Sequence, residues 1–238
     1  MELARLIRRP LLQYIYKVTI IQLFRPDGPP FMGRPQRKTQ AERHAETNRK
    51  IIDATIACID ELGFHNTTIQ NVAARAGVTV GGVQHHFNSK SQLLEGVLQD
   101  SFQTMAFDLN NIPLQGKSLQ ERVELFVDEC WEHCNSPAFQ ASMQILRGLR
   151  NEAPQELDKW LQVSLSSTVT QGRKFWQKMF SEIKLPKAEH DKLLNFVFSS
   201  LNGVVALSRI NQQKSRVDSD LSELKALLLL RFQEALNA

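Results

Sequence analysis

The sequence predicts an all-α protein in which a compact three-helix unit near the amino terminus precedes a larger helical domain. Three observations lead to this prediction. From Ala41 onward, apolar residues recur at helical spacing, and no segment alternates as a strand would. Helix-start patterns, in which Ser or Thr is followed three residues later by Glu or Gln, recur along the chain. With 238 residues, 42% of them hydrophobic, the chain is long enough for one large or two small domains.

Residues 1–31 do not fit this pattern. Their apolar part, Leu11 to Phe24, is interrupted by polar residues and is too short and too polar to span a bilayer. A proline-rich stretch, Pro26 to Pro30, stands where a signal peptide would have its cleavage site. We therefore expect Met32 to be the natural start and interpret residues 1–31 as a non-native or disordered extension.

Charge is divided unevenly along the chain. The net charge is +3 over residues 1–31, +3 over residues 32–90 and −2 over residues 91–238. A basic front joined to a mildly acidic rear indicates a polyanionic partner for the front. Residues 32–47 are interpreted as a basic arm and the start of the first helix. The three cysteines are too few for a disulfide framework, which favours a reducing cytoplasm.

The first two helices have clear limits in the sequence. The segment Ala41–Leu62 carries isoleucines at helical spacing and ends at Gly63, a residue type favoured directly after a helix. Thr67 followed by Gln70 forms a capping-box pattern, which predicts a second helix running to about Ala76.

The third helix follows after a tight turn. Gly77 is suited to the turn, and Thr79 predicts the start of a helix that reaches about His85. Ser89 with Gln92 then predicts the start of a long fourth helix.

The second and third helices have the spacing of a helix-turn-helix, at about residues 71–90. Such a motif needs a small residue where the helices cross, a residue tolerant of positive φ in the turn, and an apolar residue on the second helix. Ala73, Gly77 and Val83 meet these three requirements. A plain helical hairpin would share the spacing, but the basic arm before it favours DNA binding.

The runs "ELGFHNTTIQNVAARAGV" and "HHFNSK" resemble the amino-terminal domain of the TetR family, the tetracycline-repressor-like transcriptional regulators of bacteria. The resemblance implies a helix-turn-helix domain over residues 48–108 and a helical ligand-binding and dimerisation domain over residues 109–238. It also implies a cytoplasmic homodimeric repressor that leaves a palindromic operator when a small molecule binds. The sequence departs from the family at Gly82, where a bulkier residue is usual, and at Gln84, where an aromatic residue is usual.

The candidate DNA contacts cluster around the start of the third helix. Two adjacent glycines would let the helix backbone approach phosphate closely, and their larger neighbours would read bases. The arm and two helix starts would supply further phosphate contacts. The expected DNA-binding residues are Arg34, Arg37, Lys38, Thr68, Thr79, Val80, Gly81, Gly82, Gln84, His85 and Lys90.

The rear domain reads as about five more helices. Their limits are expected near Pro113 and Gly116, at Ser118 with Glu121, at Ser136 with Pro137, at Pro154, at Pro186, and at Asp220 with Glu223. Two apolar stripes predict a four-helix dimer interface; the alternative is that both stripes are intramolecular core. The expected interface residues are Leu193, Val197, Leu201, Val204, Leu221, Leu224, Leu228 and Phe232.

Aromatic and methionine residues that lie in the sequence between the amino-terminal three-helix unit and the end of the rear domain are candidates for an apolar ligand pocket. Most of them must nevertheless be core residues. They are Phe102, Met105, Phe126, Trp131, Met143, Trp160, Phe175 and Trp176. An apolar or aromatic effector is expected.

A cluster on the fifth helix, Cys130, His133 and Cys134, has spacing that would place two thiols and an imidazole on one face. Because a fourth ligand and a second cysteine pair are absent from the sequence, buried thiols are the favoured interpretation. No metal site is expected.

Catalysis is not expected, since the chain has no glycine-rich phosphate loop, nucleophile elbow or zinc-protease helix. No cofactor and no membrane partner are expected. The expected partners are double-stranded DNA, an unknown small-molecule effector and a second copy of the chain. The alternative is a helical dimeric interaction protein, or a general DNA-binding protein without a ligand response.

Overall fold

The computed structural model describes residues 39–211 and 214–237, with side chains except at residues 159, 163–169, 171, 211, 214 and 215. These residues form α-helices and no strand, which confirms the all-α prediction. The helices are α1 (Gln40–Leu62), α2 (Ile69–Ala76), α3 (Val80–His86), α4 (Lys90–Asn110), α5 (Leu119–Asn135), α6 (Pro137–Glu152), α7 (Pro154–Met179), α8 (Lys187–Asn211) and α9 (Lys214–Asn237). The predicted extension, residues 1–31, lies outside the described residues.

The headpiece, formed by α1 to α3 and the first half of α4, has its own hydrophobic core. Ile51, Ile59, Val72 and Val83 are completely buried there. The same core takes in Ala141 and Ile145 from α6, and α4 packs along α6. The headpiece is therefore fixed against the rear domain by apolar packing, the kind of contact that stabilises most per unit area buried.

The amino-terminal caps of α2 and α4 differ in detail from the prediction. Thr68, not Thr67, caps α2, and its hydroxyl accepts a hydrogen bond from the Asn71 backbone N–H at 3.2 Å. Thr67 is buried, and its hydroxyl donates to the Gly63 carbonyl at 2.9 Å, so it closes the preceding turn instead. At α4, Ser89 caps as predicted, and its hydroxyl accepts from the Gln92 backbone N–H at 3.1 Å.

The Gln92 side chain does not complete a capping box with Ser89. It accepts instead from the Asn88 backbone N–H at 3.0 Å. Ser118 and Glu121 form the full reciprocal box predicted for α5, in which each side chain accepts from the other residue's backbone N–H.

A second core lies among α5, α8, α9 and the end of α7. Trp176, Phe126, Phe180 and Phe232 are buried there with ring centroids 4.7–5.8 Å apart along the cluster. The indole N–H of Trp176 donates to Nδ1 of His190 at 2.8 Å, so the deepest aromatic of this core keeps its polar atom satisfied.

The start of α9 differs from the prediction. The helix already includes Lys214, so Asp220 and Glu223 lie inside it instead of opening it. Asp220 is the partner of Arg216 one turn earlier, at 3.9 Å. The pattern of an acidic residue followed three residues later by Glu therefore does not mark the start of this helix. The same spacing occurs inside helices, where side chains three or four residues apart pair with each other.

Within the described residues, one segment, Lys187–Ile210 of α8, is long and apolar enough to cross a membrane. Core helices meet the same criteria of length and composition, and Val197 and Leu201 of this helix are buried in the second core. The apolar character of α8 comes from two faces, one inside this core and one exposed.

Candidate nucleic-acid interface

Gly77 forms the turn of the helix-turn-helix. This residue has φ +67°, a left-handed conformation that favours glycine, and it follows α2 directly. The backbone N–H of Val78 donates to the Ala73 carbonyl at 3.1 Å, which satisfies the end of α2. Ala73 and Val83 are buried, so the two helices cross where the sequence predicted.

The outward side of α3 carries most of the predicted base readers. Thr79 caps the helix by accepting from the Gly82 backbone N–H at 2.9 Å. Val80, Gln84 and His85 are exposed, whereas Val83 is completely buried and anchors the helix from below. A helix held by one apolar residue and lined outside by hydrogen-bonding and methyl-bearing side chains has the chemistry needed to read base edges.

Of the two glycines at the start of α3, Gly82 has an internal explanation and Gly81 has none. Among the described residues, the glycines with positive φ are Gly63, Gly77 and Gly116, so neither Gly81 nor Gly82 needs glycine for its backbone conformation. A Cβ on Gly81 would meet only the Thr79 hydroxyl oxygen, at 3.9 Å. A Cβ on half-buried Gly82 would stand 3.3 Å from the same hydroxyl oxygen and 3.6 Å from the Val78 Cβ, so the helix cap itself disfavours a side chain there. Since glycine weakens a helix, the exposed Gly81 is best explained by something that approaches from outside.

The predicted phosphate-contacting residues are only partly described. Thr68 is exposed at the start of α2. Lys90 is half-buried at the start of α4, with its Nζ 5.2 Å from the centre of the Phe64 ring. Arg34, Arg37 and Lys38 lie outside the described residues.

Two other headpiece arginines are engaged within the protein. Arg75 is bound by both carboxylate oxygens of Glu61, and Arg49 lies 2.7 Å from Asp53 and 2.6 Å from Asp100. These partners favour the interpretation of both arginines as ordinary ion-paired surface charges.

A histidine cluster flanks the carboxyl end of α3. The ring of His86 stacks on that of His44 from α1, with centroids 4.2 Å apart, and the His85 ring lies 5.7 Å from that of His86. Nδ1 of His86 is buried without a hydrogen-bond partner. Burial and the two neighbouring imidazoles lower the pKa of His86, which keeps this ring neutral at physiological pH. The sequence signal was the concentration of histidines between residues 32 and 90.

The predicted pocket residues do not converge on one cavity. Phe126, Phe175 and Trp176 pack against one another in the second core. Phe102 stacks on Trp160 at 6.1 Å beside the headpiece core. None of these five lines the cleft described below, and their role as pocket residues stays a prediction. Met105 and Trp131 are half-buried against the second core.

Met143 alone among the predicted pocket residues lines the cleft that the structure shows between α6, α7 and α8. The cleft has a volume of about 740 Å³ and is lined mainly by aliphatic side chains with three arginines, Arg147, Arg150 and Arg209. Sequence reasoning missed these arginines. The signal in the sequence was the spacing of Arg147 and Arg150, one helical turn apart on α6.

The predicted dimer stripes are mostly internal. Six of the eight side chains are buried within one chain, namely Val197, Leu201, Leu221, Leu224, Leu228 and Phe232. Leu193 and Val204 are half-buried. Side chains in a protomer's own core cannot form the surface that meets a partner, so the interface expectation is corrected for these six.

The thiol cluster on α5 is internal as well. Cys130 and Cys134 are completely buried, and burial raises the pKa of both thiols, that of Cys134 to about 12. Burial also lowers the pKa of His133 to about 4. Neutral, enclosed groups of this kind behave as small core residues.

The headpiece is also the part of the chain that matches a known family. The family described as bacterial regulatory proteins, tetR family, matches residues 51–97, which run from the middle of α1 into α4. The headpiece therefore matches the amino-terminal part of the TetR family. That family is described as bacterial regulatory proteins, and the relatives below are named as HTH-type transcriptional regulators.

Two curated relatives of this chain differ in how much of their length it matches. The HTH-type transcriptional regulator BetI of Escherichia coli is 39% identical over 82 residues, which are 34% of this chain and 42% of BetI. The chain thus matches less than half the length of that relative. The HTH-type transcriptional regulator CymR of Pseudomonas putida is 24% identical over 188 residues, 77% of this chain and 90% of CymR.

Solved structures share the fold of this chain over most of its length. A transcriptional regulator from Rhodococcus sp. Rha1 has a TM-score of 0.59 at 16% identity, covering 77% of this chain and 96% of that one. A transcriptional regulator from Pseudomonas aeruginosa PAO1 has a TM-score of 0.58 at 16% identity, covering 84% and 99%. At this level of identity the likeness concerns the fold.

Proposed function

We propose that this chain is a sequence-specific transcriptional regulator of the TetR family that binds a palindromic operator as a homodimer. The observation that carries the proposal is the exposed side of α3, which presents Thr79 and Val80 at its amino end, beside two glycines, and Gln84 and His85 in its second half. The positive dipole end of a helix favours a phosphate, and here the Thr79 hydroxyl already accepts from the Gly82 N–H.

The proposed DNA contacts are of two kinds: readers, which contact base edges, and positioners, which contact phosphates. Gln84 can pair bidentately with adenine in the major groove, and Val80 can contact a thymine methyl group. Thr68 and Lys90, at the starts of α2 and α4, stand where phosphates would lie beside the motif. The basic arm with Arg34, Arg37 and Lys38 would add phosphate or minor-groove contacts.

The dimer would form through the outer faces of α8 and α9. Large apolar side chains are exposed there, namely Phe196, Leu207 and Ile210 on α8 and Leu227, Leu230 and Leu236 on α9. Exposed apolar groups on two adjacent helices, which pack on each other, are typical of an interface built from two helices per subunit. A two-fold axis through this face would place two copies of α3 one helical turn of DNA apart, or a multiple of it.

The cleft is the proposed effector site. Met143, Leu146 and Val205 offer an apolar wall, while Arg147 and Arg209 supply guanidinium groups. This combination fits an apolar molecule that carries an acidic group, because a charged end partly removed from water needs a charged partner.

Contacts join the cleft to the headpiece. Arg209 lies 3.9 Å from Asp60 of α1, and α6, which lines the cleft, packs against the headpiece core. An effector that shifts α6 or engages Arg209 would favour a dimer whose two α3 helices are wrongly spaced for the operator. By linkage, DNA would weaken effector binding by the same factor. The protein would thus be a repressor that releases its operator when the effector binds.

Selection of bound sequences from random duplex DNA, at two salt concentrations, tests the function. We expect a palindromic site that persists at the higher salt, since base contacts do not depend on counterion release as phosphate contacts do. Only unspecific, salt-sensitive binding would indicate a general DNA-binding protein. No DNA binding would indicate a helical interaction protein, the alternative to a regulator.

Two single substitutions should separate readers from positioners. Gln84→Ala is expected to cost about 1–3 kcal/mol on the selected site and to relax base preference at one position in each half-site. Lys90→Ala is expected to weaken binding to every sequence and to reduce the salt slope by about one for each phosphate that the lysine neutralises. Fluorescence anisotropy on selected and scrambled duplexes measures both. Equal losses of affinity for both variants on every sequence would contradict the division.

Gly81→Ala should separate stability from DNA binding. A Cβ at this position meets no neighbour closer than 3.9 Å, so we expect the free energy of unfolding to rise by about 1 kcal/mol. If DNA approaches this backbone, affinity should fall roughly tenfold, as if one hydrogen bond of about 1.4 kcal/mol were removed. Urea unfolding and anisotropy test the two effects. An unchanged affinity would mean that the glycine does not face DNA.

A further inference from the structure

Three histidines meet at the carboxyl end of α3. His44 comes from α1, and His85 and His86 are the last two residues of α3. One ring nitrogen of each lies within 4.8 Å of the corresponding nitrogens of the other two. Within the part of the chain that the structure describes, this is the one group of three His, Cys, Asp or Glu side chains so arranged.

We propose that His44, His85 and His86 form a binding site for a divalent transition-metal ion. Imidazole nitrogen is a preferred ligand of zinc, copper and nickel ions. Ligands about 2.0–2.1 Å from a tetrahedral zinc ion lie about 3.4 Å from each other, so nitrogens up to 4.8 Å apart need to approach by up to about 1.4 Å. His44 and His85 are exposed, so their side chains have room for this adjustment.

The orphaned nitrogen of His86 supports the site independently. Its Nδ1 is buried and has no hydrogen-bond partner among the described groups. Leaving a buried donor or acceptor unpaired is unfavourable. A metal ion would either bind this nitrogen or orient the ring by binding its other nitrogen.

Three protein ligands leave one coordination position open for water or an anion, as in many zinc sites with three ligands. The ion would tie the end of α3 to α1, and it would hold the His85 ring away from DNA. This consequence rests on the proposed DNA-binding function, whereas the site itself does not. We therefore expect the metal ion to lower operator affinity.

Calorimetric titration of the untagged, metal-stripped protein with Zn²⁺ tests the site. We expect saturable binding of one ion per chain. His44→Gln should weaken it by at least about tenfold, because even outer-shell partners of metal ligands contribute 10–100-fold. His44 is the residue to change because it is not among the proposed DNA contacts.

His65→Gln is the matched control. His65 is another exposed headpiece histidine, and its Nδ1 is 2.7 Å from Glu152, outside the cluster. This variant should bind Zn²⁺ like the unmodified protein. Titration with Co²⁺ gives a second readout, since a tetrahedral visible spectrum should form with the unmodified protein and be absent in His44→Gln. Absence of one-to-one binding, or equal binding by His44→Gln, would overturn the site.

Operator affinity with and without saturating Zn²⁺ tests the coupling. A decrease of about tenfold in the unmodified protein, absent in His44→Gln, is expected for a typical coupled pair of sites. Zinc binding with unchanged operator affinity would refute the coupling between zinc and DNA binding, while the proposed zinc site would stand. Failure to bind any DNA would refute the proposed function, while the zinc titration would still decide the site.

Discussion

Replacing Leu230 with glutamate is expected to turn the proposed homodimer into a monomer and to weaken binding to the proposed palindromic operator by a factor of about 100 to 10,000. Leu230 is 51% exposed on the outer face of α9. In a single chain a carboxylate there stays in water and costs little. In a two-fold dimer, two such carboxylates would be brought close together and taken out of water, which the apolar face cannot compensate.

Analytical ultracentrifugation measures the association state, and fluorescence anisotropy measures the operator affinity. Phe107→Glu is the matched control, because Phe107 is a large apolar side chain of similar exposure, 58%, on α4. It should remain dimeric. If Leu230→Glu stayed dimeric with normal operator affinity, the outer faces of α8 and α9 would not be the interface. If both variants became monomeric, the change would reflect general destabilisation.

The headpiece could be predicted from the sequence almost to the residue, because its limits are set by local chemistry. Gly77 is needed where the chain turns with positive φ, and the Thr79 hydroxyl caps the helix that follows. Such effects act within four residues, so they are visible in any short window of sequence. The one-residue error at Thr67 arose because two adjacent threonines offer the same hydroxyl, and burial decides between them.

The rear domain could be predicted as helical, but not which helix faces point inward. Val204 and Val205 illustrate the difficulty: both continue an apolar stripe on α8, and the structure buries Val205 while leaving Val204 half-buried. Because α8 is apolar on two faces, periodicity alone does not say which one packs on α5 and α9. That choice depends on long-range contacts between helices.

The cleft could not be predicted for a related reason. Aromatic residues are as suitable for a core as for a pocket, and here Trp176 and Phe126 fill the second core. The cleft wall depends on arginines that pattern analysis treats as surface charges. Their position beside Leu146 and Val205 follows from how three helices meet, which sequence spacing does not encode.

Gly148→Ala is expected to lower the free energy of unfolding by about 1–3 kcal/mol, although alanine is the better helix former. Gly148 lies in α6 against the headpiece. A Cβ built there would stand 2.2 Å from one Phe64 ring carbon and 2.3 and 2.7 Å from two others. Phe64 is itself buried in the headpiece core, so its ring cannot move aside without disturbing that core. Urea unfolding measures the change.

A control variant and a compensating second substitution test whether the clash with Phe64 causes the loss of stability. Gly172→Ala lies in α7, where a Cβ would meet nothing within 4 Å, so it should raise stability by up to about 1 kcal/mol. Combining Gly148→Ala with Phe64→Leu should cost less than the sum of the two single changes, because the smaller side chain leaves room for the new methyl group. A stabilising Gly148→Ala would mean that the headpiece is not fixed on α6 through this contact. The proposed route from the cleft to α3 would then lack its most direct step.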